Sequence, residues 1–284
     1  MKIDSLGSSS LLTQSQQKRE QEHDVQNIFS AMLAQAGRQG YASAEAPDQV
    51  SDDQQSLTEG LQRTWDSWFT GELNGRYSQV SNSKELKQSF GEIIVRAHEE
   101  GGYVDPQSFL QNLSQDELAV IQKVQSLASP IQVGSLTEEG ALNLLLPPAA
   151  QVDLNHDGIT RSGVAKGLRF PSSNTPAAVV KAWEETTEGM SFGEKAVAEL
   201  QMMLPLLTAN LVVDDNGKFV RQYEPGDPEF RNPLAASDYS YVTVTKNRLD
   251  ALEFMKNEIP PDRYENQKSF WNKFQQSLID HGAE

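Results

Sequence analysis

From Ser56 onward, apolar residues recur at the spacing of an α-helix face, three or four positions apart. Leu57, Leu61, Trp65, Trp68 and Phe69 mark a first helix that stops near Gly71. Ser83 is placed to cap a second, with Leu86, Phe90, Ile93, Ile94 and Ala97 facing inward and Gly101-Gly102 ending it. In "SQDELAVIQKVQSLASP" Ser114 and Glu117 form a capping box, and Leu118, Ile121, Val124 and Leu127 line one face. "SLTEEGALNLLLPP" repeats the pattern and ends at Pro147-Pro148. Thr175 and Pro176 open a later helix, and the next carries Ala196, Leu200, Met203, Leu204 and Leu207 as its apolar stripe, with Pro205 as kink or stop. The last helix holds Phe270, Trp271, Phe274, Leu278 and Ile279.

Two stretches depart from this period. "NLVVDDNGKFVRQY" flanks Asn216-Gly217 with β-branched and aromatic residues, which predicts a hairpin at about 210–223. "SYVTVT" (240–245) reads either as a strand or as the start of the helix through Leu249, Leu252 and Met255. Residues 1–55 are polar, with nine Ser and ten Gln within the first 60, and are expected to be mostly disordered. One island interrupts them. Val25, Ile28, Phe29, Met32 and Leu33 form an apolar stripe on a helix at about 24–36 that must cover either its own domain or a protein partner's groove. The expected architecture is mainly α with a small β-hairpin: a multi-helix domain over 56–284, with a seam near 147–153.

Charge narrows the partners. Forty acidic against 24 basic residues give −16, which opposes docking on nucleic acid or anionic lipid and suits divalent cations or basic partners. The absence of cysteine excludes disulfides, thiolate metal sites and cysteine nucleophiles. The start carries no apolar signal segment, and "MMLPLLTANLVV" is too short to span a bilayer. The sequence therefore predicts a soluble protein, cytoplasmic or exported without a cleaved signal.

The stretch with the most chemistry is "DLNHDGITRSGV". Hard cations take several oxygen ligands, and alternate residues of a tight loop can supply them. Asp153, Asn155 and Asp157 stand at positions one, three and five, and Gly158 stands where the chain must turn with positive φ. This pattern resembles the calcium loops of the EF-hand superfamily, especially the bacterial form also seen in dockerin-like and thrombospondin type 3 repeats. The resemblance covers about 12 of 284 residues. It implies calcium as cofactor, held by the side chains of Asp153, Asn155 and Asp157 and the carbonyl of Ile159. The loop departs from that family at position twelve, where Val164 replaces the bidentate acid, and at position nine, where Arg161 puts a cation. Such a set would bind weakly, with a dissociation constant on the order of 10⁻⁴–10⁻³ M, unless a remote acid such as Glu184 or Glu185 joined it. Without metal the stretch reads as an Asx-rich turn bonded to its own amides.

Signatures of common nucleophiles and phosphate loops are missing: GxSxG, GxxxxGK[ST], HExxH and GxGxxG. Two readings follow. One is a non-enzymatic helical protein, with a weak calcium loop, acting through protein contacts; its Ser/Gln-rich start and lack of cysteine look like cargo of a flagellar or type III bacterial export system. The other is a hydrolase using paired carboxylates near Trp183 or the 223–238 loop. No catalytic residue is singled out.

Overall fold

The computed structural model describes residues 6–38, 54–236 and 238–283. It divides into two compact units between Gly167 and Leu168. The division falls beyond the seam expected near 147–153, because the loop after Pro148 is bonded back to the helix before it.

The first unit holds α1 (Leu6–Gln35), α2 (Gln54–Gly71), α3 (Ser83–Glu99), α4 (Pro106–Gln111), α5 (Gln115–Val124) and α6 (Glu138–Leu144), followed by the antiparallel pair β1 (Thr160–Ser162) and β2 (Ala165–Gly167). Helix α1 is the main correction to the sequence reading. It begins at Leu6, not near Asp24, so much of the segment expected to be disordered is helical; residues 39–53, expected to be unstructured, lie outside the described residues. A helix this polar draws its stability from tertiary contact, not from propensity. That contact comes from the predicted stripe: Val25, Ile28, Phe29, Met32 and Leu33 are buried in the unit's own core, with α1 packed on α2. Of the two uses foreseen for the stripe, the structure displays the internal one.

Aromatic residues dominate the centre of this core. Trp65, Phe69, Phe90 and Tyr77 are buried; Trp65 lies 4.8 Å from Phe90, and Phe69 stacks on Tyr77 at 4.3 Å between ring centroids. The Trp65 indole N–H donates to the Lys87 carbonyl and the Tyr77 hydroxyl to the Val124 carbonyl, which removes the penalty of burying those donors. The capping box at Ser114 and Glu117 is present as read.

The second unit holds α7 (Ala177–Thr187), α8 (Phe192–Ala209), the hairpin β3 (Leu211–Val213) and β4 (Phe219–Gln222), α9 (Tyr241–Phe254) and α10 (Pro261–Asp280). "SYVTVT" opens α9, capped by Ser240, whose hydroxyl accepts from the Thr243 N–H. α10 packs on α7 and α9 through Trp183, Phe270, Trp271 and Phe274. In α8 the burial differs from the predicted stripe. The inward residues are Ala198, Met202, Met203 and Leu206, whereas Leu200 is 55% and Leu204 37% exposed. This helix is apolar on two faces, and periodicity alone does not choose which one turns inward.

Candidate functional site

The loop at 153–161 is built by its own side chains and by α6. Asp153 is fully buried, and its two carboxylate oxygens accept from the Gly158 N–H at 2.8 Å and the Asp157 N–H at 3.3 Å. Asn155 Oδ1 accepts from the same Asp157 N–H at 3.3 Å, and Asp157 Oδ1 accepts from the Ile159 N–H at 2.9 Å. The Asn155 and Asp157 bonds, each to the amide two residues on, are Asx turns, and Asp153 reaches further to draw the loop closed. Gly158 sits at φ +80°, as the turn requires, and His156 at φ +54° is exposed outside it. Ile159 is fully buried and anchors the loop's exit into β1.

The four expected ligand residues thus lie in one turn, but a cation of the chain's own reaches two of them, Asp157 and Ile159. Arg161 Nη2 donates to Asp157 Oδ2 at 2.7 Å, and its Nη1 donates to the Ile159 carbonyl at 3.4 Å. Burial pulls the Arg161 guanidinium down, but the Asp157 hydrogen bond and the charges of Asp157, Glu139 and Asp153 outweigh it and hold the group above its ordinary value. Among the described residues no three His, Cys, Asp or Glu side chains are grouped so as to hold a metal ion.

The fourth charged group is Glu139, which the sequence reading did not single out. Glu138 and Glu139 stand together in the first turn of α6, where acids suit the helix dipole. Glu138 pairs with Arg38, while Glu139 turns inward to the loop. Glu139 Oε1 accepts from the Arg161 N–H at 2.7 Å and Oε2 from the Leu154 N–H at 3.0 Å, with the Arg161 guanidinium 3.6 Å away. Burial is the largest influence on this carboxyl and pushes it above its ordinary range, against the pull of the two amides and Arg161. No linear motif marks Glu139. Its capping Thr137 was the one local signal, and that spoke only of a helix start.

Position twelve gives nothing to the loop: Val164 is 68% exposed in the turn between β1 and β2. The remote acids proposed from the sequence have work in their own unit. Glu185 Oε2 accepts from the Ser277 hydroxyl at 2.6 Å and lies 3.1 Å from His281 Nε2. Behind the loop, Asn143 fixes the backbone of both its ends. The Asn143 Nδ2 donates to the Val152 and Arg161 carbonyls, and its Oδ1 accepts from the Val152 N–H. Gln125 extends this buried network, donating to the Leu146 carbonyl at 2.7 Å and accepting from Gln151 at 2.8 Å.

Trp183, the centre of the paired-carboxylate reading, is buried in the core, against Phe170 at 4.9 Å and Phe274 at 5.4 Å, and lines no open face. The expected hairpin is present, with Leu211 opposite Gln222 and Val213 opposite Phe219. Asp214 closes its turn by accepting from the Asn216 and Lys218 N–H groups, so this acid acts as a turn residue. Leu211, Val213, Phe219 and Val220 on the hairpin are 44–60% exposed. No helix of the described residues is long and apolar enough to cross a membrane. Compared with protein-family models, curated proteins and solved structures, the chain matches none. Fold and loop together define a mainly α protein of two units, the first carrying an Asx-rich turn at 153–161 closed by Arg161 and Glu139.

Proposed function

We propose that this chain is a non-enzymatic protein that acts by docking on other proteins, and that β3–β4 is a docking element. The observation that carries this reading is the exposure of Leu211, Val213, Phe219 and Val220 on a ribbon that pairs with no third strand among the described residues. Leu211, Val213 and Phe219 fall on one side of the ribbon by register. A lone hairpin is marginal in water, and exposed apolar groups on open strand edges invite a covering partner. The test is a photo-crosslinking residue at position 219 in cells that make the protein, with position 254 (Phe254, 89% exposed) as control. A discrete adduct from 219 and none from 254 is expected; no adduct, or the same products from both, refutes the docking role.

The loop at 153–161 supports this function as a scaffold that needs no metal, with Arg161 as its built-in cation. Calcium binding is the second reading, favoured by Glu139, a further buried carboxylate that is bonded to the loop's Arg161 and Leu154 amides. Calorimetric titration with calcium chloride separates the two. The scaffold reading expects no saturable heat from the wild type at millimolar calcium, and a lower melting temperature for Arg161→Gln that calcium partly restores. Saturable wild-type heat, abolished by Asp153→Ala/Asp157→Ala, gives the loop to calcium.

A further inference from the structure

The face that α9 turns toward its own unit holds one residue out of keeping with the rest. Tyr241, Thr245 and Leu252 on that face are buried, and Arg248 stands among them at the same helical spacing, half-buried. Its guanidinium lies 5.7 Å from the centre of the Trp271 ring on α10, and its Nη2 donates to the Gln201 carbonyl of α8 at 3.4 Å. That carbonyl is open for a local reason. The amide that would bond it in a regular helix belongs to position 205, which is a proline inside α8 and has no N–H. Neighbouring helices thus hold the guanidinium in place by one of its nitrogens. Its Nη1 and Nε meet no acceptor among the described residues.

Nor does a carboxylate balance the charge. Glu253, the next glutamate on α9, takes bonds from the Tyr264 hydroxyl and Lys268, and Glu199 on α8 has Lys195 and Arg169 to offset it. Burial lowers the Arg248 guanidinium from its ordinary value with no acid to oppose it, the reverse of Arg161, where acids outweigh burial. With forty acidic residues to 24 basic ones, a half-buried cation without an acid is the exception in this chain. Withdrawing a cation from water without a counter-charge is costly. A second donor at the same place is also unmatched. Trp271 is buried and its indole N–H has no acceptor among the described residues, although buried indoles usually find one. Trp68 and Trp183 share that condition, but neither has a cation over its ring among the described residues. The place is short of acceptors and of negative charge, and one ligand group remedies both.

We propose that Arg248, with the Trp271 ring beside it, is a binding site for a carboxylate. A carboxylate matches the planar fork of a guanidinium in two parallel bonds and brings the single charge that one arginine balances. A phosphate dianion would add unbalanced charge to a chain already at −16. Sodium butyrate is titrated into the whole chain, with sodium chloride at matched ionic strength as reference. The side-chain N–H resonances of Arg248 and Trp271 are followed by nitrogen NMR. Both should shift saturably by about 50 mM butyrate and not with chloride, while the Trp65 indole resonance in the first unit stays fixed. Arg248→Lys keeps the charge without the fork and should weaken binding about fivefold or more, and Arg248→Gln should abolish it. Arg248→Gln also strips the Gln201 carbonyl, so a measurement free of variants stands beside it: the wild-type melting temperature should rise with butyrate above its value in chloride. A capped peptide whose one charge is a glutamate forms the second arm. Binding tighter than butyrate assigns the carboxylate to a partner's side chain, and weaker binding assigns it to a free acid; either outcome supports the site. No saturable shift beyond that of chloride, Arg248→Gln titrating like the wild type, or inorganic phosphate binding more tightly than butyrate overturns the inference. None of these readouts involves β3–β4, so failure here and failure of hairpin docking are distinguishable.

Discussion

Replacing Glu139 by glutamine asks whether one buried carboxylate gathers the loop. In the wild type its two oxygens accept from two different backbone amides, Arg161 at 2.7 Å and Leu154 at 3.0 Å. Glutamine keeps one acceptor and turns an N–H₂ donor toward the other amide. An unpaired buried N–H costs about 1–3 kcal/mol, and the surviving bond loses its charge assistance, about 1 kcal/mol more. Against this, glutamine brings no charge into the buried position, and burial is the largest influence on the wild-type carboxyl. The balance is a destabilisation of about 2 kcal/mol. For a unit of this size each kcal/mol moves the melting temperature by roughly 2–4 °C, so a fall of roughly 4–8 °C is expected by scanning calorimetry. Hydrogen exchange followed by mass spectrometry should speed up in the peptide spanning 152–163. The pH dependence has a fixed sign. A carboxyl with a raised folded pKa contributes stability that is fully present below its ordinary value of 4.5 and is lost as pH rises through the folded value. The gap between wild type and Glu139→Gln should therefore narrow from pH 4 toward pH 7. A melting shift under 1 °C with unchanged exchange, or a gap that widens with pH, would refute the assignment.

Gly140→Ala should destabilise by about 2–3 kcal/mol in denaturant titration, although alanine is the better helix former, because the added Cβ would sit 2.2 Å from the Gly163 carbonyl oxygen, whose own N–H donates to Gly140. Gln125→Ala, which strips a partner from the Leu146 carbonyl and from Gln151, should lower stability by about 2–3 kcal/mol by the same measurement. The Glu185 carboxyl is held below its ordinary value first by the Ser277 hydroxyl and then by His281, so its share of the α7–α10 contact is present above pH 4.5 and lost as pH falls through the lowered value. In Ser277→Ala the Glu185 carboxyl should titrate closer to 4.5 in a carbon NMR pH series, and an unmoved midpoint would remove the serine from the account.

Helix faces were legible in the sequence where one side was apolar and the other polar. Leu86, Phe90, Ile93, Ile94 and Ala97 were placed inward by spacing alone, and all are buried. The Asn216-Gly217 hairpin was read from its turn chemistry, with Gly217 at φ +76°. Three features escaped. α1 extends 18 residues N-terminal of the predicted start at Asp24, because its mostly polar added turns carry no sustained apolar stripe to mark a helical period. α8 turned its less regular face inward, because both faces carry enough apolar residues to serve. The pair β1–β2 lies in "TRSGVAKG", where three-residue strands leave no alternation to count. In the loop, the Asx turns and the left-handed glycine followed from residue identity. Glu139 did not, since it stands 14 residues before Asp153 and reaches the loop only through the fold of α6.

The identity of the cation at this loop decides what kind of element it is. Acceptor side chains converge at Asp153–Asp157 because each takes a hydrogen bond from a nearby main-chain amide, an arrangement that forms with or without an ion. Convergent carboxylates then repel one another, and Glu139 adds a third. Relief has two sources: an ion from solution, or a cationic side chain of the same chain. An ion's occupancy follows its concentration, and a loop that depends on one responds to its surroundings. A guanidinium tethered four residues from its acceptor is present at an effective concentration of millimolar or more at all times. On the scaffold reading, Arg161 therefore exchanges responsiveness for constancy. The loop's order then varies with the pH-dependent charge of Glu139 more than with divalent ions, and under the proposed function the answer to a partner falls to the exposed apolar residues of β3–β4.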